Sequence, residues 1–199
     1  MPPAPPRCCT PLILLALLVM AGCGEPEWRT KDIASLMPPL AFTLVDERGE
    51  TVEADRYRGG VALLFFGYTH CPDVCPITLA RLAGQVRDLP PEARDDMQIL
   101  FVSVDPARDD PERLAAYTEA FGSAIVGLTG SRAQLDALTK RYRVTYGYGE
   151  KDAAGGYAVS HPSGVFAFDR AGDARLLIRD GDDPEAVRHD LRRLLAEEG

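Results

Sequence analysis

Val61-Ala62-Leu63-Leu64-Phe65-Phe66 is an unbroken apolar run. A strand with one wet face would alternate apolar and polar residues. This one does not, so it reads as a central strand covered on both faces. Gln98-Ile99-Leu100-Phe101-Val102-Ser103-Val104 reads as a second. Between them, Leu79, Leu82, Ala83 and Val86 recur at the spacing of one helix face. Pro76 suits the first turn of that helix, where its missing N–H is not needed. The three segments make a β-α-β unit, and the chain must fold as an α/β layered structure.

The remaining elements fit around that unit. Ala41 to Asp46 alternates like a strand, Asp46 to Glu50 turns it, and Thr51-Val52 begins the return. Pro111 to Phe121 is a helix that Gly122 can end, and Ala124 to Leu128 a short strand. Ser131 caps a helix running to Tyr142. Tyr157–Ser160 and Gly164–Phe168 are strand-like and flank His161-Pro162, which places His161 between strands of a late antiparallel hairpin. Arg170 to Asp173 turns the chain for Ala174 to Arg179, and Asp183 caps a last helix. The expected fold is α/β with a central mixed sheet, an N-terminal β-hairpin and a late inserted antiparallel hairpin. A cysteine pair between the first central strand and a helix N-terminus is the thioredoxin-like arrangement.

The N-terminus reads as a leader. Leu12 to Gly22 is apolar, too short to span a bilayer, and suits the core of a signal peptide. It ends in Met20-Ala21-Gly22-Cys23, which resembles a bacterial lipobox, with Met20 where Leu is usual. Residues 1–22 are then a lipoprotein-type signal, Cys23 the lipidated residue, 23–37 a tether and 38–199 the domain. An uncleaved anchor helix and ordinary signal cleavage nearby are the alternatives, and each of the three readings exports the domain to the cell envelope. The formal net charge of −8 argues against nucleic acid as a partner, since phosphate contacts need clustered Lys and Arg.

Of five cysteines, Cys8 and Cys9 lie in the leader and Cys23 is the lipid candidate, leaving Cys71 and Cys75. They stand in Thr69-His70-Cys71-Pro72-Asp73-Val74-Cys75-Pro76. A bridge across three residues restrains little unfolded-chain entropy, so a structural staple is the weakest reading. Disulfide exchange and metal binding both remain. The helix N-terminus favours thiolate, which serves either. The C-x-x-x-C spacing permits a disulfide and also lets two soft sulfurs face one ion such as Cu(I) or Zn(II).

A third ligand would come from the histidines, His70, His161 and His189. His189 lies among charged residues of the last helix and reads as solvated. His70 abuts Cys71 and tends to point away from the sulfur, so it tunes the site at most. His161 lies in a loop, usually a structural or solvated position. A thioredoxin-like sheet would nevertheless return it near the first helix. Asp73 either bonds N–H groups of the cysteine loop or lends the site negative charge, and loop shaping is favoured.

Three blocks, Phe65 to Pro76 (F-F-G-Y-T-H-C-P-D-V-C-P), Ser103 to Pro111 (S-V-D-P-A-R-D-D-P) and Tyr157 to Pro162 (Y-A-V-S-H-P), resemble in order and spacing the signatures of the Sco/SenC copper-chaperone family. The resemblance implies a membrane-anchored domain of the bacterial cell envelope facing the periplasm, with a copper site, Cu(I) or Cu(II), built from Cys71, Cys75 and His161. It implies a role in assembling the CuA centre of cytochrome c oxidase, with that enzyme's copper-bearing subunit as partner. Other periplasmic copper chaperones or thiol reductants are further partners. Pro162 departs from the family's small hydroxyl residue, and its peptide bond is expected to be trans. The middle block has a plain explanation as well: Asp105-Pro106 starts a turn, and Asp109 or Asp110 caps the helix from Pro111.

Two enzyme readings compete with copper delivery. A thiol-disulfide reductase or redox sensor needs only Cys71 and Cys75. A thiol peroxidase needs a polarising Thr and Arg beside the thiolate. Thr69 is available, but no motif places the nearest downstream arginine, Arg81, so that reading ranks last.

Overall fold

A computed structural model describes Met1 and residues 27–197 of the 199-residue chain. The rest of the expected signal and the lipidation candidate Cys23 lie outside the described residues. In chain order the elements are β1 (Lys31–Asp32), β2 (Thr43–Asp46), β3 (Thr51–Glu53), β4 (Val61–Gly67), α1 (Val74–Arg87) and α2 (Pro91–Arg94). They continue with β5 (Met97–Ser103), α3 (Pro111–Glu119), β6 (Ile125–Thr129), α4 (Arg132–Arg141), β7 (Gly147–Tyr148) and β8 (Val159–Ser160). Last come β9 (Val165–Phe168), β10 (Ala174–Ile178) and α5 (Pro184–Ala196).

Eight strands form one mixed sheet in the order β1-β10-β9-β4-β5-β6-β2-β3. Its centre, β4, β5 and β6, is parallel. Every residue of β4 is buried, as its unbroken apolar run requires. Phe65, Phe66, Leu63 and Leu64 are fully enclosed, and burying each side chain contributes roughly 1.5–3 kcal/mol. On the flanks, β9 runs antiparallel to β4, and β2 antiparallel to β6.

Caps set the helix starts. Ser131 and Gln134 form a reciprocal capping box on α4, and Asp183 accepts from the Ala186 amide on α5. Asp110, rather than Asp109, caps α3 by accepting from the Arg113 amide.

Two expectations change. The first concerns the late hairpin. Val159–Ser160 pairs with Gly147–Tyr148 in a separate two-stranded sheet, whereas Val165–Phe168 joins β4 and β10. His161 therefore lies on the bridge between two sheets and not inside a hairpin. Gly147–Tyr148 has too few residues to show a strand period, so its pairing was not visible in sequence.

The second concerns residues 23–37. Lys31 and Asp32 pair with Leu177 and Leu176, and Ile33 is buried. Trp28 lies 3.9 Å from the Arg193 guanidinium and 5.3 Å from that of Arg175, measured to the ring centroid. The segment expected as tether thus packs on the domain from Trp28 onward. A two-residue strand leaves no periodicity, and Asp190, which accepts from the Arg29 and Thr30 amides, sits far along the chain on α5. Among the described residues no helix is long and apolar enough to cross a membrane.

Candidate metal centre

Sheet register brings the site together. Gly67 at the end of β4 pairs with Ser103 at the end of β5, so the loops leaving these strands emerge side by side. Carboxyl ends of parallel strands are where open α/β sheets place ligands. Because β9 runs antiparallel to β4 and Val165 pairs with Phe65, the chain entering β9 arrives at the same edge. Residues 161–164 thereby reach the cysteine loop.

One ligand atom each from Cys71, Cys75 and His161 lies within 4.8 Å of the others. Cys75 Sγ is 3.3 Å from His161 Nε2, and the Cys75 amide points at Cys71 Sγ, 3.5 Å away. Cys75 is fully buried, Cys71 and His161 partly so. Both thiols are free. The His161 ring makes edge contacts with Phe65 and Tyr68, at centroid distances of 6.1 and 5.7 Å. Its Nδ1 lies 3.1 Å from the Pro162 carbonyl, which can only accept. That hydrogen bond assigns the proton to Nδ1 and turns the Nε2 lone pair towards the sulfurs. No peptide bond among the described residues is cis, including that before Pro162.

Burial dominates the electrostatics. It lowers the His161 pKa, against hydrogen bonds to backbone at Pro162 and Phe66 that raise it. The ring is therefore neutral, the form that ligates metal. Burial also pushes the Cys75 thiol far above its usual value, and nearby Cys71 adds to this. The expectation that the helix N-terminus favours thiolate fails at Cys75. The macrodipole is worth under about 2 kcal/mol, and desolvation of a fully buried sulfur outweighs it. A metal ion would supply the missing positive charge and displace the proton.

His70 and Asp73 stand outside the cluster. His70 Nδ1 turns to Thr69 Oγ1 at 3.1 Å and to Asp109 Oδ1 at 3.6 Å. Asp73 occupies the N-cap position of α1 but is exposed, and its side chain makes no capping hydrogen bond. The loop-shaping role expected of it belongs instead to Asp109. That carboxylate is fully buried and accepts from the Thr69 amide at 2.8 Å, Thr69 Oγ1 at 2.7 Å and Ser103 Oγ at 2.6 Å. His189 is partly exposed and bonded to Asp190, away from the site.

Gly67 was missed in the sequence. A Cβ there would stand 2.6 Å from Cys75 Sγ and 2.7 Å from Phe101 Cε2. The residue is glycine because the sulfur occupies the space of a side chain. The G in F-F-G-Y, closing a buried strand just before the cysteines, was the available signal.

Two sulfurs and an imidazole nitrogen within this radius fit a soft or borderline ion in a low-coordinate site. The SCO1/SenC family profile matches residues 36–196, spanning every strand from β2 to β10, though not β1, and every candidate ligand. The chain belongs to the SCO1/SenC family. A mitochondrial SCO2 homolog of Mus musculus is 34% identical over 171 residues, 77% of this chain and 66% of that protein. A putative copper-binding protein of Stutzerimonas stutzeri is 34% identical over 136 residues, 68% and 66% of the two chains. The chain thus spans just under two thirds of the length of these relatives. Among solved structures, Bradyrhizobium japonicum ScoI with copper bound superimposes with a TM-score of 0.72 at 32% identity, covering 79% of this chain and 99% of that one.

Proposed function

We propose that this SCO1/SenC protein binds copper through Cys71, Cys75 and His161 and serves assembly of the CuA centre of cytochrome c oxidase. The convergence of three donor atoms within 4.8 Å carries the reading. The copper named in the Bradyrhizobium and Stutzerimonas relatives supports it, and the family resemblance of the three sequence blocks supplies the oxidase. Cu(I) suits two thiolates and one imidazole, and Cu(II) takes the same set with a weak added ligand.

The residues divide the work. Buried Cys75 and the neutral His161 ring give a fixed floor. Cys71 is partly exposed, and it is the ligand an incoming donor would displace first. Transfer to the copper-bearing subunit of the oxidase would proceed by such ligand exchange. The leader, residues 1–22, directs export in this account. Cys23 carries the lipid that holds the domain at the outer face of a membrane, and the tether is shortened to residues 23–27. Other periplasmic copper chaperones would supply the metal, and thiol reductants would keep the pair reduced.

A second reading has one observation in its favour. A partly exposed Cys71 in front of a buried Cys75 suits a thiol-disulfide reductase, in which two thiols become a disulfide while a partner's disulfide becomes two thiols. His161→Ala separates the readings. Copper affinity should fall by more than about a hundredfold, beyond the 10–100-fold expected for a partner of a ligand. Unchanged affinity removes the three-ligand site. Full reductase turnover in the variant, with oxidase assembly following it, would favour the enzyme.

A further inference from the structure

The segment from Ser103 to Asp110 has more buried charge than a turn needs. Asp105 and Asp109 are both fully buried, and a buried carboxylate is costly unless it is well hydrogen-bonded. The capping role falls to Asp110, so neither is used for that. Each instead reaches a different neighbour.

Asp109 holds the cysteine arm. It accepts from both the amide and the hydroxyl of Thr69, two residues before Cys71. Asp105 holds the histidine arm. It accepts from Tyr157 Oη at 2.8 Å, four residues before His161. The Arg108 guanidinium is clamped between the Asp105 carboxylate, an ion pair, and the Tyr157 ring, whose centroid is 3.6 Å away. Tyr148 Oη, on the strand paired with β8, donates to the Val104 carbonyl. The segment closes on itself, since the Asp109 amide donates to the Asp105 carbonyl at 3.0 Å and Ser103 Oγ donates to Asp109 while accepting from the Asp105 amide.

We infer that Asp105 and Asp109 are positioning residues that make Ser103–Asp110 a strut, setting the distance between the cysteine arm and the histidine arm of the metal site. The inference rests on the copper reading for its purpose, but not for its geometry. A strut acts one arm at a time. Removing the Asp109 contact loosens the cysteine arm and leaves the histidine arm in place. Removing the Tyr157 hydroxyl does the reverse. A segment that merely stabilises the domain would loosen both arms together.

The test uses Asp109→Asn and Tyr157→Phe in the full reduced chain, without and with copper. In the metal-free protein, amide hydrogen exchange by NMR should rise roughly tenfold at Thr69 in D109N, from loss of a hydrogen bond to a charged acceptor. It should rise by a similar factor across Gly147–Gly149 and Val159–Ser160 in Y157F, each variant leaving the other arm at the wild-type rate. With Cu(II) bound, D109N should shift the sulfur-to-copper absorption band, and Y157F should change the nitrogen hyperfine pattern in the EPR spectrum. If D109N does not fold, Thr69→Val keeps the amide bond to Asp109 but removes the hydroxyl shared by Asp109 and His70, and exchange at position 69 should rise by a smaller factor with the histidine arm unchanged. Wild-type exchange at both arms in both variants overturns the strut, as does equal loosening of both arms. A wild-type protein that takes up no copper while the arms still loosen separately ends the copper reading and leaves the strut standing.

Discussion

Cys75 Sγ and His161 Nε2 stand 3.3 Å apart across 86 residues of chain. The antiparallel docking of β9 on β4 produces that meeting: Val165 pairs with Phe65, so residues just before β9 lie over residues just after β4. The imidazole is held on its other side by the Pro162 carbonyl and packed edge-on by Phe65 and Tyr68. Two ligands are therefore in place before any ion arrives.

Gly67→Ala should damage this arrangement from inside the core. The new methyl would overlap Cys75 Sγ and the Phe101 ring, both fully buried. Overpacking of this kind costs roughly 1–3 kcal/mol. Urea unfolding should show that loss, and copper affinity should fall with it because the sulfur must move. A variant of wild-type stability and affinity would mean that the space behind Cys75 is not needed.

The two thiols should differ in reactivity in the metal-free protein. Cys71 is partly exposed, whereas Cys75 is enclosed and its thiol is pushed up by burial. Alkylation followed by peptide mass spectrometry should find Cys71 labelled first, faster than Cys75 by more than about tenfold. Equal rates would show that the site opens freely in solution.

Asp190 should govern how the N-terminal edge responds to acid. Burial alone would raise its pKa. Hydrogen bonds from His189, Thr30 and the Arg29 amide outweigh that and lower it. A lowered folded pKa gives stability that is fully present above the unfolded value of about 3.9 and lost as pH falls through the folded one. Asp190→Asn should cost roughly 1.5–3 kcal/mol at pH 7, the worth of hydrogen bonds to a charged group. The gap between variant and wild type in urea unfolding should shrink below about pH 4. A gap that stays constant down to pH 2 would contradict the linkage.

Cys23→Ser should release the protein from the membrane fraction. Mass spectrometry of the mature wild-type N-terminus should find a lipid-modified Cys23. A free terminus or a different cleavage point would rule out the lipobox.

The sequence was most legible where one residue's environment depends on its immediate neighbours. The apolar run of β4, the Ser131 cap and the Asp183 cap are local signals, and the structure bears each of them out. His161 was reachable because few histidines compete and family blocks fix the order. What stayed hidden depends on contacts across the sheet. Asp109 read as a helix cap because Asp110 beside it is one; only the pairing of Gly67 with Ser103 shows that Asp109 faces Thr69. The thiol state of Cys75 could not be read from the helix N-terminus, since the opposing burial comes from elements far along the chain. Lys31–Asp32 joins the sheet through Leu176 and Leu177, with no pattern of its own.

X-ray absorption at the copper edge of the reduced, copper-loaded protein tests the central claim most directly. The account predicts a low-coordinate ion bound by the sulfurs of Cys71 and Cys75 and the nitrogen of His161, with the nitrogen contribution lost in His161→Ala. No copper uptake by the reduced protein, or a spectrum unchanged by that substitution, would contradict it.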